Sequence, residues 1–273
     1  MKTVTVTGSF DNVRSKHVRF LQEAAKFGNV HVGLWSDQSV EAHEGSPPRF
    51  PECERLYLLQ ALRYVDRVTI MQGAIARDSV PQLGGTKPDV WVVDEASDST
   101  GKRASAEAAH IQFRVLMNVN LKGFPVSSDV SPAFDRARKR VVVTGCFDWF
   151  HSGHVRFFEE ASALGQLYVV VGHDANIKLL KGDGHPLLSQ DERLYMVSSV
   201  RNVHQAMIST GHGWMDAEPE IAKIQPDIYL VNEDGDNPEK RAFCARHSIE
   251  YRVLKRIPKQ GLPGRQSTLL RGF

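Results

Sequence analysis

The sequence has few cysteines and no long apolar run, and these two deficits exclude several protein classes. Its 273 residues include three cysteines, Cys53, Cys146 and Cys244, an odd number without metal-ligand spacing. They favour reduced thiols over a disulfide framework or a zinc site. The longest apolar stretches, such as Val141 to Val143 and Leu167 to Gly172, fall far short of the roughly 20 residues that a membrane-spanning helix needs. We therefore expect no membrane insertion.

A large excess of charge of either sign is also missing. Lys and Arg number 34 against 32 Asp and Glu, which gives a net charge of +2. This balance provides no field to attract nucleic acid or an anionic membrane, and it leaves a small anionic ligand open. The first seven residues (MKTVTVT) alternate like a strand and lack the apolar core of a secretion signal. With 41% hydrophobic and 24% charged residues, the composition predicts a globular protein, and we expect it in the cytoplasm.

The second half of the sequence repeats the first. Two segments recur 137 positions later, TGSFD of Thr7 to Asp11 as TGCFD, and FLQEAAKFG of Phe20 to Gly28 as FFEEASALG. From Pro88 to Leu116 against Pro226 to Leu254 the offset is 138, and 12 of 29 residues are identical, where chance gives about two. The repeat predicts two domains, 1–128 and 140–273, with a polar linker over 129–139.

Each copy alternates predicted strands with predicted helices. In the second copy the strands are Val141 to Thr144, Leu167 to Gly172, Ile228 to Val231 and Tyr251 to Leu254. The helices are His154 to Leu164, Leu188 to Val200 and Pro238 to His247, with Ser189 as an N-cap three residues before Glu192. This alternation predicts an α/β fold with a parallel sheet flanked by helices. Ligands of such sheets bind beyond the carboxyl ends of the strands.

The loop after the first strand of the second copy reads GCFDWFHSGH, from Gly145 to His154. His151 and His154 bracket Gly153 at a predicted helix start, beside backbone N–H groups and the positive end of a helix dipole. Gly153 would let a phosphate approach the backbone closely. The pattern H-x-G-H arises by chance in roughly three chains in a hundred, so the pattern alone is moderate evidence for an anion site. The predicted strand before it and the predicted helix after it strengthen that interpretation. The competing interpretation is a pair of surface histidines at a helix cap.

This loop resembles the signature of the cytidylyltransferases, which join a nucleoside monophosphate to glycerol phosphate, phosphocholine, phosphoethanolamine or a sugar phosphate. The resemblance spans nearly all of Val141 to Leu270, and the tandem layout is similar to phosphoethanolamine cytidylyltransferase. The neighbourhood of Lys181, Gly182 and Asp183 is also similar to heptose-phosphate nucleotidyltransferases. The resemblance implies two tandem Rossmann-like nucleotidyltransferase domains that pair as a pseudo-dimer within one chain.

The function implied is cytidylyl transfer from CTP to a phosphorylated alcohol or sugar, which yields a CDP-alcohol and pyrophosphate. An ATP-dependent adenylyltransferase acting on a sugar phosphate is an alternative, because base choice leaves no clear letter code. A nucleotide-binding sensor or scaffold without turnover is an alternative of another class. Mg²⁺ is expected with the nucleoside triphosphate, held by phosphate and water rather than by protein ligands.

The resemblance also implies roles for individual residues. Catalytic roles fall to His151, His154, Lys181 and Arg256. Nucleotide binding is expected of Gly145, Cys146, Phe147, Asp148, Gly153, Asp174, Arg193, Arg265, Ser267 and Thr268. Substrate binding is expected of Lys178, Trp214 and Asp236. Plainer interpretations compete for five of these: a loop tie for Asp148, a helix cap for Asp174, packing or solvation for Arg193, a core position for Trp214 and an acidic turn for Asp236.

The first copy lacks most of this loop's chemistry. Arg14, Lys16 and His17 stand where the second copy has His151, Gly153 and His154. A lysine in place of the glycine hinders close approach to the backbone. We therefore predict that the N-terminal half does not transfer nucleotides and instead supplies a partner surface of the kind that single-domain relatives obtain by dimerising.

Overall fold

A computed structural model describes residues 1–126, 135 and 137–270, and these fall into two compact units, Met1–Phe124 and Pro125–Phe273. Most of the predicted linker, residues 129–139, lies outside the described residues, so its bounds remain a prediction. The pairing of the two halves as a pseudo-dimer likewise remains a prediction. Among the described residues, no helix combines the length and apolar character needed to cross a membrane.

The first unit alternates strands and helices, beginning and ending with a strand. Its strands are β1 (Thr3–Gly8), β2 (Asn29–Trp35), β3 (Arg67–Met71), β4 (Val90–Asp94) and β5 (Gln112–Leu116). Its helices are α1 (Ser15–Ala25), α2 (Asp37–Glu44), α3 (Glu52–Ala61) and α4 (Thr100–Ala108). The strands form one parallel sheet in the order β3-β2-β1-β4-β5.

The second unit repeats this plan. Its strands are β6 (Arg140–Gly145), β7 (Gln166–Val171), β8 (Val203–Ile208), β9 (Ile228–Asn232) and β10 (Glu250–Leu254). Its helices are α5 (Ser152–Leu164), α6 (Asp174–Lys181), α7 (Gln190–Ser198), α8 (Glu218–Ile224) and α9 (Pro238–Arg246). The parallel sheet has the order β10-β9-β6-β7-β8, which matches the first sheet strand for strand. The predicted α/β, Rossmann-like class is confirmed for each unit.

The strands form where the sequence concentrates β-branched residues. Val141, Val142 and Val143 are fully buried at the centre of the second sheet, and all six residues of β7 are buried. Such continuous burial is what a sheet covered on both faces requires. The predicted cap of α7 is also confirmed, because Ser189 Oγ accepts the N–H of Glu192 at 3.3 Å.

Three elements of the second unit were missing from the sequence prediction. The edge strand β8 carries His204 and Gln205 and buries few of its side chains, so no apolar run marks it. The helices α6 and α8 are short, with two or three buried side chains each, so the sequence indicated only a helix cap at Asp174 for the first and nothing for the second.

The topology fixes where a ligand would bind. The chain runs from β6 to its neighbour β7 on one side, and later returns to β9 on the other side. The order of strands therefore reverses at β6, and a crevice opens between the loops that follow β6 and β9.

Candidate active site

A cavity of about 380 Å³ lies at this crevice in the second unit. The loop after β6, the start of α5, the end of α6, the end of β9 and a C-terminal segment form its walls. Ten of the predicted site residues line it: Gly145, Cys146, Phe147, Asp148, Gly153, His154, Lys181, Arg256, Ser267 and Thr268. The chain segments that follow β6 and β9, on either side of the crevice, therefore line the same cavity.

The two histidines form the N-terminal cap of α5. His151 Nδ1 accepts the N–H of Gly153 at 3.0 Å, and His154 Nδ1 accepts the N–H of His151 at 3.3 Å. Because Nδ1 is an acceptor in both rings, we assign the proton of each neutral imidazole to Nε2. The rings stack with their centroids 4.0 Å apart. A Cβ atom on Gly153 would come within 2.8 Å of His151 Cε1, so this packing requires glycine.

Burial keeps both imidazoles neutral. Desolvation, with smaller effects from the charges of Arg256 and Arg265, lowers the pKa of His151 to about 3. Desolvation also lowers the pKa of His154 well below its usual value, aided by its His151, Arg256 and Lys181 neighbours. His151 is only 1% exposed, and its Nε2 has no hydrogen-bond partner among the described residues. At neutral pH His154, which lines the cavity, therefore offers an N–H donor to an anion without carrying a charge of its own. His151 does not line the cavity and packs behind His154, so its catalytic role stays a prediction.

Asp148 ties the loop to the segment that precedes α7. Its two carboxylate oxygens accept the N–H groups of Leu187 and Leu188 at 2.8 and 3.0 Å. The loop needs this anchor, because Phe147 and Trp149 adopt positive φ angles of 52° and 59°, which cost free energy in residues other than glycine. The plainer interpretation of Asp148 as a loop tie fits this geometry, although Asp148 also lines the cavity.

Arg193 does not line the cavity; its position favours the packing interpretation, and its assignment to nucleotide binding stays a prediction. Its side chain is 0% exposed. It donates to the backbone carbonyls of Leu188, Cys146 and Gly172 at 3.0, 2.6 and 2.7 Å, and to Asp174 Oδ1 at 2.7 Å. Asp174, also assigned to nucleotide binding, is committed to this pair and does not line the cavity. Both residues hold the ends of β6 and β7 in place.

The two candidate lysines differ in position. Lys181 is the last residue of α6, lines the cavity and makes no hydrogen bond or ion pair with another described residue. Its charge makes a small contribution to the lowered pKa of His154, which burial dominates. Lys178 pairs with Asp183 at 3.2 Å, is 65% exposed and does not line the cavity. The geometry thus favours Lys181 for contact with a phosphate.

Arg256 lies between the main cavity and a smaller one of about 170 Å³. One guanidinium nitrogen pairs with Asp234, and another donates to the carbonyl of Arg265 at 3.0 Å. Arg265 itself lines the smaller cavity. Ser267 begins a short 3-10 helix, Ser267–Leu270, and donates to the Trp149 carbonyl at 3.3 Å. These contacts bring the C-terminal segment against the histidine loop.

Two predicted substrate contacts lie elsewhere. Trp214 is 53% exposed and does not line the cavity. Asp236 accepts hydrogen bonds from Arg241 and, at 3.1 Å, from the Tyr251 hydroxyl, and it too lies outside the cavity lining. The acidic-turn interpretation fits Asp236, whereas the exposure of Trp214 excludes the core position that was its alternative. The substrate-binding roles of Trp214, Asp236 and Lys178 stay predictions.

Sequence reasoning missed Lys240, which lines the cavity from α9. Asn232, Asp234 and Gln266 line it as well. A signal for Lys240 was available, because the duplication aligns it with Lys102 at the offset of 138. Helix α9 carries several charged residues, and nothing in its sequence pattern indicates that Lys240 is the one that lines the cavity.

The first unit keeps the frame of the site without its histidine pair. Asp11 accepts the N–H groups of Arg49 and Phe50, as Asp148 does with its partners, and His17 Nδ1 accepts the N–H of Arg14 at 3.0 Å. Burial lowers the pKa of His17 to about 4. Lys16 is exposed at the position of Gly153. The scaffold of the loop is therefore shared, and the chemistry differs.

Comparison with known proteins adds the following. The family described as cytidylyltransferase-like matches residues 5–131 and 142–237. The FAD synthase of Aciduliprofundum boonei is 36% identical over 125 residues, 45% of this chain and 80% of that protein. The FAD synthase of Methanocella paludicola is 40% identical over 119 residues, 42% of this chain and 81% of that protein. The bifunctional protein HldE of Nitratiruptor sp. is 36% identical over 137 residues, 49% of this chain but only 28% of that protein.

Proposed function

The chain belongs to the cytidylyltransferase-like family, and from this premise we propose that its second unit transfers a nucleotidyl group from a nucleoside triphosphate to a small phosphorylated substrate. The observation that carries the proposal is the convergence of His154, Lys181 and Arg256 on one cavity at the switch point of a parallel sheet. A neutral imidazole N–H donor and two cations there suit a polyphosphate ligand.

The reaction needs alignment and charge compensation rather than covalent catalysis. An oxygen of the substrate phosphate attacks the α-phosphorus, the bond from the α-phosphorus to the bridging oxygen breaks, and pyrophosphate leaves with the electron pair. His154 Nε2–H donates to an α-phosphate oxygen as negative charge develops there. Lys181 lies between the α-phosphate and the incoming phosphate, and Arg256 binds the leaving pyrophosphate.

We further propose that Mg²⁺ accompanies the triphosphate. The two cavity carboxylates are engaged, Asp148 with backbone N–H groups and Asp234 with Arg256, and the described part of the chain holds no cluster of three or more potential metal ligands. Phosphate oxygens and water are the ligands that suit Mg²⁺ in such sites. The ion would supply further charge compensation on the phosphates.

Two nucleotides are candidate donors. CTP is favoured by the description of the family, and ATP is favoured by the FAD synthases among the relatives, since FAD contains an adenylyl group. The phosphorylated substrate is an alcohol or sugar phosphate under either donor. The first unit, with Arg14 in place of His151, is proposed to be inactive.

Pyrophosphate release tests the proposal. The full chain is incubated with CTP or ATP and each of a set of phosphorylated acceptors, including glycerol 3-phosphate, ribose 5-phosphate and FMN. His154→Ala should lower kcat by about 10²–10³, while the matched variant His17→Ala in the first unit leaves the rate unchanged. A sensor or scaffold would release no pyrophosphate in any combination. Equal losses in the two variants would refute the assignment of the active unit.

A further inference from the structure

Lys240 has a largely buried side chain whose ammonium group makes one long hydrogen bond and lies 5.9 Å from the centre of the Tyr229 ring. The residue is only 8% exposed, and it lines the cavity from α9. Its one hydrogen bond to a described residue is a long one, 3.4 Å to the carbonyl of Gly235, and no described carboxylate lies within 4.0 Å of it. An ammonium has three N–H donors, and burying it without partners is costly. Acceptors on a ligand in the cavity would remove this deficit.

The first unit supplies an internal comparison. Lys102, the duplicate of Lys240, donates to the Ser97 carbonyl at 2.6 Å and lies 4.0 Å from Asp78. The duplicates of those partners, at the offset of 138, are Gly235 and Asp216. In the second unit Asp216 instead accepts a hydrogen bond from Ser209 at 2.6 Å. The lysine thus has a short hydrogen bond and a nearby carboxylate in the unit that lacks the histidine pair, but only a long hydrogen bond and an aromatic ring in the unit that has it.

Among the described residues, the cavity wall holds no carboxylate without a partner for a positively charged substrate. Lys181 and Arg256 add two cations to Lys240, and both carboxylates, Asp148 and Asp234, already have partners. The aromatic side chains in the wall are Phe147 and Phe157, too few for a cage around an ammonium group. A further positive charge within a few ångströms of the Lys240 ammonium would be repelled.

We propose that Lys240 is a specificity residue that contacts the alcohol part of the phosphorylated substrate and restricts it to uncharged, hydroxyl-bearing compounds. The substrate is then a polyol or sugar phosphate, whose hydroxyl oxygens accept hydrogen bonds from the Lys240 ammonium. Phosphorylated amines and quaternary ammonium alcohols are excluded by charge. This inference rests on the proposed nucleotidyl transfer, and it selects among the acceptors that the family resemblance leaves open.

The test compares two acceptor classes and two matched variants. Wild type should turn over glycerol 3-phosphate or ribose 5-phosphate with a kcat/KM at least about 10²-fold above that for phosphoethanolamine or phosphocholine. Lys240→Met should raise the KM for the hydroxylated acceptor by about tenfold or more, the typical effect of losing a charged hydrogen bond, with the KM for the nucleotide unchanged. Lys102→Met should change neither constant. Lys240→Arg keeps the charge, so it should retain the discrimination even if Lys240→Met fails to fold.

Binding measurements separate this inference from the proposed function. Thermal unfolding of wild type and Lys240→Met is followed with each acceptor in the absence of nucleotide. In one outcome the hydroxylated phosphates stabilise wild type but not Lys240→Met, and no acceptor is turned over. That outcome would support the inference and refute nucleotidyl transfer. Turnover of phosphoethanolamine at a comparable rate, or a Lys240→Met variant no different from Lys102→Met, would overturn the inference and leave nucleotidyl transfer standing. If no acceptor is turned over or stabilises the fold, both are refuted.

Discussion

Replacing Arg193 with methionine should destabilise the second unit severely. The substitution leaves a side chain of similar length but removes all four hydrogen bonds of the guanidinium. Three of the acceptors are backbone carbonyls, of Leu188, Cys146 and Gly172, and they lose their buried donor. Each unsatisfied buried acceptor costs about 1–3 kcal/mol, so the expected loss in the free energy of unfolding is at least about 3 kcal/mol.

The fourth acceptor adds little to this estimate. The side chain of Asp174 is 43% exposed, so water can replace Arg193 there and the ion pair itself is screened. A loss of about 3 kcal/mol is nevertheless a large share of the 5–15 kcal/mol that stabilises a typical domain. The local effect should be largest where β6 and β7 end, because the guanidinium holds these two strand ends together.

The first unit contains the matched control. Arg55 makes the equivalent bonds to the carbonyls of Phe50, Ser9 and Trp35 and to Asp37. Urea unfolding followed by hydrogen exchange and mass spectrometry reports each unit separately. Arg193→Met should lower protection in residues 140–270, and Arg55→Met in residues 1–124. A loss below about 1 kcal/mol in either variant would refute the reasoning from buried carbonyls.

Two further predictions concern charge at the site. Lys181→Met should lower kcat/KM by about 10²-fold, whereas Lys178→Met, which removes only an exposed pair with Asp183, should change it less than about threefold; equal effects in a pyrophosphate assay would contradict the geometry. The pKa of His151 is about 6.5 in the unfolded chain and about 3 in the folded protein. Between these two pH values the unfolded state binds more protons than the folded state. The free energy of unfolding therefore falls as the pH drops, by up to about 1.4 kcal/mol per pH unit. Urea midpoints at pH 7.5 and 5 should show this fall, and it should be smaller in His151→Asn; an identical fall in both proteins would exclude His151 as its source.

The sequence carried enough information for the plan of the fold but not for every wall of the site. The repeat of TGSFD as TGCFD and the β-branched run at Val141 to Val143 predict a central strand and its loop, because burial on both faces leaves a clear pattern. Strand β8 leaves no such pattern, since it lies at the edge of the sheet. An edge strand buries few of its side chains, so the sequence of β8 can be half polar.

The roles of charged residues were harder to predict than their positions. Arg193 and Lys240 both carry charge on a helix, and linear sequence does not say whether such a side chain faces solvent, backbone carbonyls or a cavity. The structure gives the first four protein acceptors and the second a single weak one. The acceptors come from residues distant in sequence. The carbonyls of Cys146 and Gly172, for example, reach Arg193 only in the folded protein.

A crystal structure of the full chain with bound CTP or ATP would show which unit binds the triphosphate. We expect electron density for the triphosphate in the cavity of the second unit, with a phosphate oxygen within hydrogen-bond distance of His154 Nε2 and another beside the ammonium of Lys181. Density for the nucleotide in the first unit, near Arg14 and His17, or a nucleotide in the second unit that touches neither His154 nor Lys181, would contradict this expectation.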